Sequence, residues 1–158
     1  MLQTRPADRK LPTVRPLKDG DEGEWLRLRL ALWPNHTCSE LEENMAGIRA
    51  NPEGEVVFVA ECGEGKLCGM VEVSIRKTAR GCRTDRVGYL EGWFVDPEWR
   101  CQGVGRKLVE AGESWCRAHG CIEMASDTTS AYPLSPAAHR RLGYQDVEDS
   151  LHFRKDLT

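Results

Sequence analysis

Apolar positions recur at helical spacing near the start of the chain. Trp25, Leu28 and Leu32 fall on one face, with Trp33 beside them. Asp21 and Glu24 form a capping arrangement ahead of this segment, and Pro34 closes it. A second helix is predicted from Ser39, where Glu42 completes Ser-x-x-Glu. Leu41, Met45 and Ile48 form its apolar face, and Asn51-Pro52 ends it. From Val56 the period changes to two. Val56–Cys62 is almost continuously apolar and reads as a buried strand, turned back by Gly63-Glu64-Gly65-Lys66. In the returning strand Leu67, Gly69, Val71, Val73 and Ile75 share one face. Met70, Glu72, Ser74 and Arg76 share the other, which is expected to point outward. Val87–Val95 is the next strand. Alternation groups Tyr89, Glu91, Trp93 and Val95 unless a bulge intervenes, and Gly88 and Gly92 make one plausible.

The helical period returns after Asp96-Pro97. Val104, Leu108, Ala111, Trp115 and His119 line one face of a long helix that Gly120 stops. Cys121–Ser126 is a strand ending at Asp127. A short helix follows over Ala137–Leu142, then strands near Tyr144–Val147 and Leu151–Lys155. With a first strand at Thr13–Leu17, the order is β-α-α-β-β-β-α-β-α-β-β. This is one mixed α/β domain over residues 13–158, behind a polar leader over 1–12 that is expected to be flexible.

Composition narrows the function classes. The 158 residues carry 22 Lys+Arg against 25 Asp+Glu, a net charge of −3, which argues against a nucleic-acid partner. No apolar run reaches the roughly 18–20 residues of a membrane span. Met1–Lys10 lacks the apolar stretch of a signal sequence. The seven cysteines are odd in number and include no Cys-x-x-Cys pair, which argues against a disulfide scaffold or a metal site. They are expected to be reduced thiols in a cytoplasmic protein, packed as small hydrophobes, Cys101 included.

Candidate chemistry begins at Arg100-Cys101-Gln102-Gly103-Val104-Gly105-Arg106. A strand, a glycine turn and a helix N-terminus together bind anions, because the first helical N–H groups are unpaired and the helix dipole is positive there. Gly-Lys-Ser/Thr is missing, and Leu108 breaks Gly-x-Gly-x-x-Gly, so neither common nucleotide loop is present. Alone, the loop is either a phosphate cradle or a helix start with tight-turn glycines.

The run Phe94-Val95-Asp96-Pro97-Glu98-Trp99-Arg100-Cys101-Gln102-Gly103-Val104-Gly105, with Leu142-Gly143-Tyr144 downstream, resembles the acetyl-CoA site of the GNAT superfamily of N-acetyltransferases. Leu-Trp-Pro at Trp33, Ser74-Ile75-Arg76, Leu90-Glu91-Gly92, Glu123-Met124-Ala125-Ser126-Asp127 and the placement of His139 are similar to the aminoglycoside 6′-N-acetyltransferases. The resemblance implies the GNAT fold: a mostly antiparallel twisted sheet, splayed at the acetyl-CoA site and flanked by about four helices. It implies acetyl transfer to an aminoglycoside 6′-amine, antibiotic resistance and a homodimer, with no metal. Phe94, Val95, Arg100, Gln102, Gly103, Val104, Gly105 and Arg106 are expected to hold acetyl-CoA. Trp33, Glu72, Glu91 and Asp127 are expected to meet the acceptor.

The chemistry explains why carboxylates are needed. An alkylamine has a reference pKa near ~10.4, so it arrives protonated and must lose a proton before attacking a thioester. Asp127 is expected to be the base, and Glu91 to position the amine or act through water. His139 is expected either to protonate the leaving thiolate or to bond only locally. From the residues alone, Glu91 could also be a solvated edge carboxylate and Asp127 a turn cap. Another amine acceptor, such as a polyamine, a metabolite or a protein N-terminus, stays open. The basic residues Arg76, Lys77, Arg80, Arg83 and Arg86 would repel a polycation, so this loop is expected to be a solvated tip, or near the cofactor phosphates or a partner.

Overall fold

The computed structural model describes residues 9–148 and 150–158. Residues 1–8 of the expected leader lie outside them. The elements follow the expected order: β1 (Thr13–Pro16), α1 (Glu22–Leu32), α2 (Cys38–Arg49), β2 (Glu55–Gly63), β3 (Lys66–Arg76), β4 (Val87–Val95), α3 (Val104–Ala118), β5 (Glu123–Asp127), α4 (Ser135–Arg141), β6 (Gln145–Asp146) and β7 (His152–Asp156). A single turn of 3₁₀ helix over Pro97–Trp99 precedes the glycine loop. The seven strands form one sheet in the order β1-β2-β3-β4-β5-β7-β6. Every neighbouring pair is antiparallel except β4 and β5.

Both faces of the sheet are covered. Trp25, Leu28, Leu32 and Met45 of α1 and α2 pack on Val57, Val59 and Met70. On the other face Val104, Leu108, Val109 and Cys116 of α3 pack on Val71, Val73, Leu90 and Val95. The buried stripe of α3 runs through Gly112 and Cys116, not through the expected Ala111 and Trp115. A Cβ at Gly112 would stand 2.8 Å from the Val73 side chain, so the helix approaches the sheet closely there.

Several local expectations are corrected. Asp21 does not cap α1 with its side chain. Its carboxylate accepts from Lys18 N–H and Arg15, while Glu24 accepts from Leu67 N–H and Arg27. The capping box of α2 is Thr37 with Glu40, two residues before Ser39 and Glu42. The face of β3 bearing Met70, Glu72 and Ser74 does not point outward: all three are buried, Met70 and Glu72 beneath α1 and Ser74 against Glu91. Leu67 joins that face too, because Cys68 is an extra residue between the Ala60–Gly69 and Glu61–Leu67 pairs.

The bulge in β4 falls on Glu91. Glu72 pairs with Gly92 and Val73 with Leu90, so Glu91 has no opposite number. Tyr89 is thereby put on the α1 side, while Trp93 and Val95 face α3. The alternation expected for β4 fails at that residue. The bulge also aims the Glu91 carboxylate back toward Ser74 and Arg76.

The basic loop is not a free tip. Ala79 and Cys82 pack on Val87, Tyr89 and Ala125. Arg83 and Thr84 donate backbone N–H groups to the buried Glu123 carboxylate, whose pKa they help to hold down at about 2. All seven cysteines are free. Cys68, Cys116 and Cys121 are buried, whereas Cys101 is exposed and so is not the packing residue expected.

Candidate active site

Two features converge where β4 leaves β5. Parallel pairing covers only Gly88–Leu90 against Met124–Ser126. Beyond it the 91–95 edge has no ladder partner on that side among the described residues. This is the splay expected of the sheet. It leaves backbone N–H and C=O groups available to an extended ligand, as at an exposed sheet edge.

The glycine loop lies at the same end. Gly103 is the N-cap of α3 at φ 83, a left-handed conformation that disfavours any side chain. Nothing stands within 4 Å of where its Cβ would be. Behind the loop, a Cβ at Gly105 would lie 3.2 Å from the Trp93 ring. Arg100 is anchored, its Nε donating to the Val95 carbonyl at 2.8 Å. Arg106 donates to the Arg141 carbonyl at the end of α4. An open N-terminal turn with fixed arginines beside it fits a diphosphate. Trp93 adds a buried indole N–H with no partner, next to Gly105.

On the α1 side of the sheet there is a cleft of about 370 Å³. Its lining includes Trp33, His36, Glu40, Asn44, Glu55, Glu72 and Glu91. Trp33 forms a wall: a Cβ at Gly92 would meet its ring at 2.7 Å, so only glycine lets the indole lie there. Tyr132, from the loop after β5, donates to the Leu32 carbonyl beside it. His36, Glu40, Asn44 and Glu55 carried no sequence signal. His36 comes from the turn before α2, Glu40 and Asn44 from α2 itself and Glu55 from the start of β2, and they meet only in the fold.

The four acidic and basic candidates fall into different roles. Glu72 is buried and ion-paired with Arg29 at 2.8 Å, and Trp25 Nε1 donates to the same oxygen at 2.8 Å. Its carboxylate is consumed by the fold, which argues against the direct acceptor contact expected of it. Glu91 accepts from Ser74 Oγ at 2.5 Å and from Arg76 at 2.8 and 2.7 Å. Asp127 is exposed at the end of β5 and accepts from Tyr89 Oη at 2.7 Å. Burial and the adjacent Asp127 push the Tyr89 phenol upward, so it stays a donor. Tyr89 was missed in the sequence because alternation assigned it to the wrong company.

His139 is buried on the α3 side and stacks on Phe153 at 4.5 Å. Its Nδ1 lies 2.8 Å from the Ser135 carbonyl, which can only accept, so Nδ1 carries the proton. Nε2 then accepts from Ser126 Oγ at 2.8 Å. Burial lowers the His139 pKa, which favours this neutral form. A neutral ring with Nδ1 already bonded has no proton at Nε2 to donate. Of the two roles left open, the geometry favours local hydrogen bonding over general acid. Tyr144 is no substitute, since its hydroxyl donates to Glu113 at 3.0 Å.

Comparison with known proteins agrees with this geometry. Residues 24–144 match the acetyltransferase (GNAT) family model. The chain is 43% identical over 150 residues to aminoglycoside N(6′)-acetyltransferase type 1 of Klebsiella aerogenes, covering 92% of this chain and 97% of that protein. It is 38% identical to the protein of that name from Stenotrophomonas maltophilia, covering 92% and 94%. AAC(6′)-Iy, solved with the bisubstrate analogue CoA-S-monomethyl-acetylneamine, superposes with a TM-score of 0.81 at 31% identity, over 88% of this chain and 94% of that one. The family match spans the splay, the glycine loop and both carboxylate-bearing strands, and the chain belongs to the GNAT acetyltransferase family.

Proposed function

We propose that this chain transfers the acetyl group of acetyl-CoA to the 6′-amino group of an aminoglycoside and so confers resistance to it. The observation that carries the reading is a cleft walled by Trp33 and edged by Glu91, beside the splay and near the exposed Asp127. A polycationic amino sugar suits an acidic cleft with an aromatic wall. Acetyl-CoA supplies the thioester, and no metal is required. The 91–95 edge, with Phe94 and Val95, would pair with its pantetheine amides. Gln102, Gly103, Val104, Gly105 and Arg106 would hold its diphosphate, with Arg100 fixing the loop.

The chain's own groups then handle the amine. Trp33 and Glu91 would orient it. Asp127 would take its proton, directly or through one water. Tyr89 aims Asp127 by donating its hydroxyl hydrogen to one carboxylate oxygen, Oδ2. The other oxygen, Oδ1, would meet the amine or a relaying water. Ser126 and His139 would shape the wall on the cofactor side. A general acid is not essential, because a thiol of reference pKa about 8.5 is already a good leaving group.

The decisive assay measures CoA release from acetyl-CoA with kanamycin, tobramycin, amikacin and spermidine in parallel. Release is expected with the aminoglycosides and not with spermidine. No release with any aminoglycoside carrying a 6′-amine would overturn the reading. The cofactor half is tested separately by Gly103→Val. A β-branched residue is strained at φ 83 and would fill the open cradle. Titration calorimetry is expected to show CoA binding weakened by about tenfold, since ~1.4 kcal/mol suffices. We further propose a cytoplasmic homodimer: the free thiols support a reducing compartment, and the dimer rests on family analogy alone.

A further inference from the structure

Among the glutamates lining the acceptor cleft, Glu72 and Glu91 each hold an arginine, but on different terms. The Arg29 and Glu72 side chains are 3% and 4% exposed and cannot part without leaving a buried charge. The Arg76 and Glu91 side chains are 43% and 31% exposed. A pair so open to water is weak and can exchange. Yet its geometry is well formed: Arg76 Nε and Nη2 each donate to a different Glu91 oxygen, at 2.8 and 2.7 Å. Ser74 takes a third acceptor position. In the same position its guanidinium also lies 3.5 Å over the Tyr89 ring.

We propose that Arg76 is the cleft's own counter-cation, and that an acceptor ammonium reaches Glu91 only by exchanging with it, which selects acceptors carrying several ammonium groups. This rests on the cleft being an amine-acceptor site. A tethered guanidinium competes at an effective concentration on the order of millimolar. A monoamine must displace it with one charge. A polyamine brings further charges to Glu40 and Glu55 in the same cleft and outweighs the tether. Arg76 is thus a specificity residue. The first arginine of the basic stretch that would repel a polycation becomes part of how one is chosen.

The test compares Arg76→Met and Arg76→Lys with the unsubstituted chain. The acceptors are tobramycin and 6-amino-6-deoxyglucose, a sugar with one amine. Both kcat/KM and calorimetric affinity in the presence of CoA are measured. Arg76→Met is expected to raise the monoamine-to-tobramycin ratio by about fivefold in both measures, the worth of a weak exposed pair. Arg76→Lys keeps the cation and is expected to stay closer to the original ratio. If the monoamine is not detectably turned over by the unsubstituted chain, the affinity ratio decides. A ratio unchanged in Arg76→Met overturns the proposal. So does equal loss with both acceptors that lysine restores, which would make Arg76 a positioning residue for Glu91. Failure of the unsubstituted chain to acetylate tobramycin would instead overturn the aminoglycoside reading.

Discussion

Asp127→Asn is expected to lower aminoglycoside turnover at least about tenfold, and up to the 10²–10⁴ attributed to a lost general base. Asparagine keeps the size of the side chain, and its carbonyl oxygen can still accept from the Tyr89 hydroxyl. What it loses is the capacity to take a proton and to attract the ammonium. Glu91 is expected to position the amine while held by Ser74, and so not to restore the lost proton acceptor. CoA affinity by calorimetry should not change, since Asp127 ends β5 while the diphosphate cradle is the loop before α3. Unchanged turnover would remove Asp127 as proton acceptor or relay. A parallel loss of CoA affinity would show that the substitution had disturbed the splay.

The second large effect is on stability. Glu72→Gln removes the counter-charge of a buried guanidinium while leaving an oxygen for the Trp25 indole N–H. Arg29 keeps the Leu41 carbonyl at 3.0 Å and the Asn44 side chain, but neither is charged. Breaking one side of such a pair costs about 3–5 kcal/mol. At ~2–4 °C per kcal/mol for a chain of this size, the melting temperature should fall by about 10 °C. Thermal unfolding followed by circular dichroism measures it. A loss no larger than the ~0.5 kcal/mol of a surface substitution would show that water reaches the pair. The double variant Arg29→Met, Glu72→Gln should recover much of the loss, because it removes the unpaired buried cation and keeps an acceptor for the Trp25 indole N–H.

These two carboxylates show how far one-dimensional reading reaches. The place of Asp127 at the end of a strand was legible because the motif around it is contiguous in the chain. Glu72 was misread because strand alternation reports two faces but not what covers each. An outward face was expected for β3, and α1 and α2 bury it. The same limit hid Glu40, Asn44 and Glu55, which are polar residues of ordinary appearance until α2 and β2 bring them to one cleft.

Register was the other loss. A single extra residue at Glu91 reverses the facing of Tyr89 relative to Trp93. Gly88 and Gly92 signalled that a bulge was plausible but could not say which residue would carry it. The capping box of α2 was displaced for a related reason. Thr37-x-x-Glu40 and Ser39-x-x-Glu42 are equivalent in sequence, and the path of the chain after Pro34 chose between them.

The order and type of the elements, the glycine loop and the family were written in the sequence itself. These depend on local periodicity, on turn chemistry and on motifs contiguous in the chain. The tertiary structure alone decided which carboxylates are free to act. It placed Glu72 under two helices, Glu91 against Arg76 and Asp127 in solvent. It also bonded His139 Nε2 to Ser126 of β5. Charge partners and solvent access are set by contacts between residues far apart in the chain, and no pattern of neighbours along it encodes them.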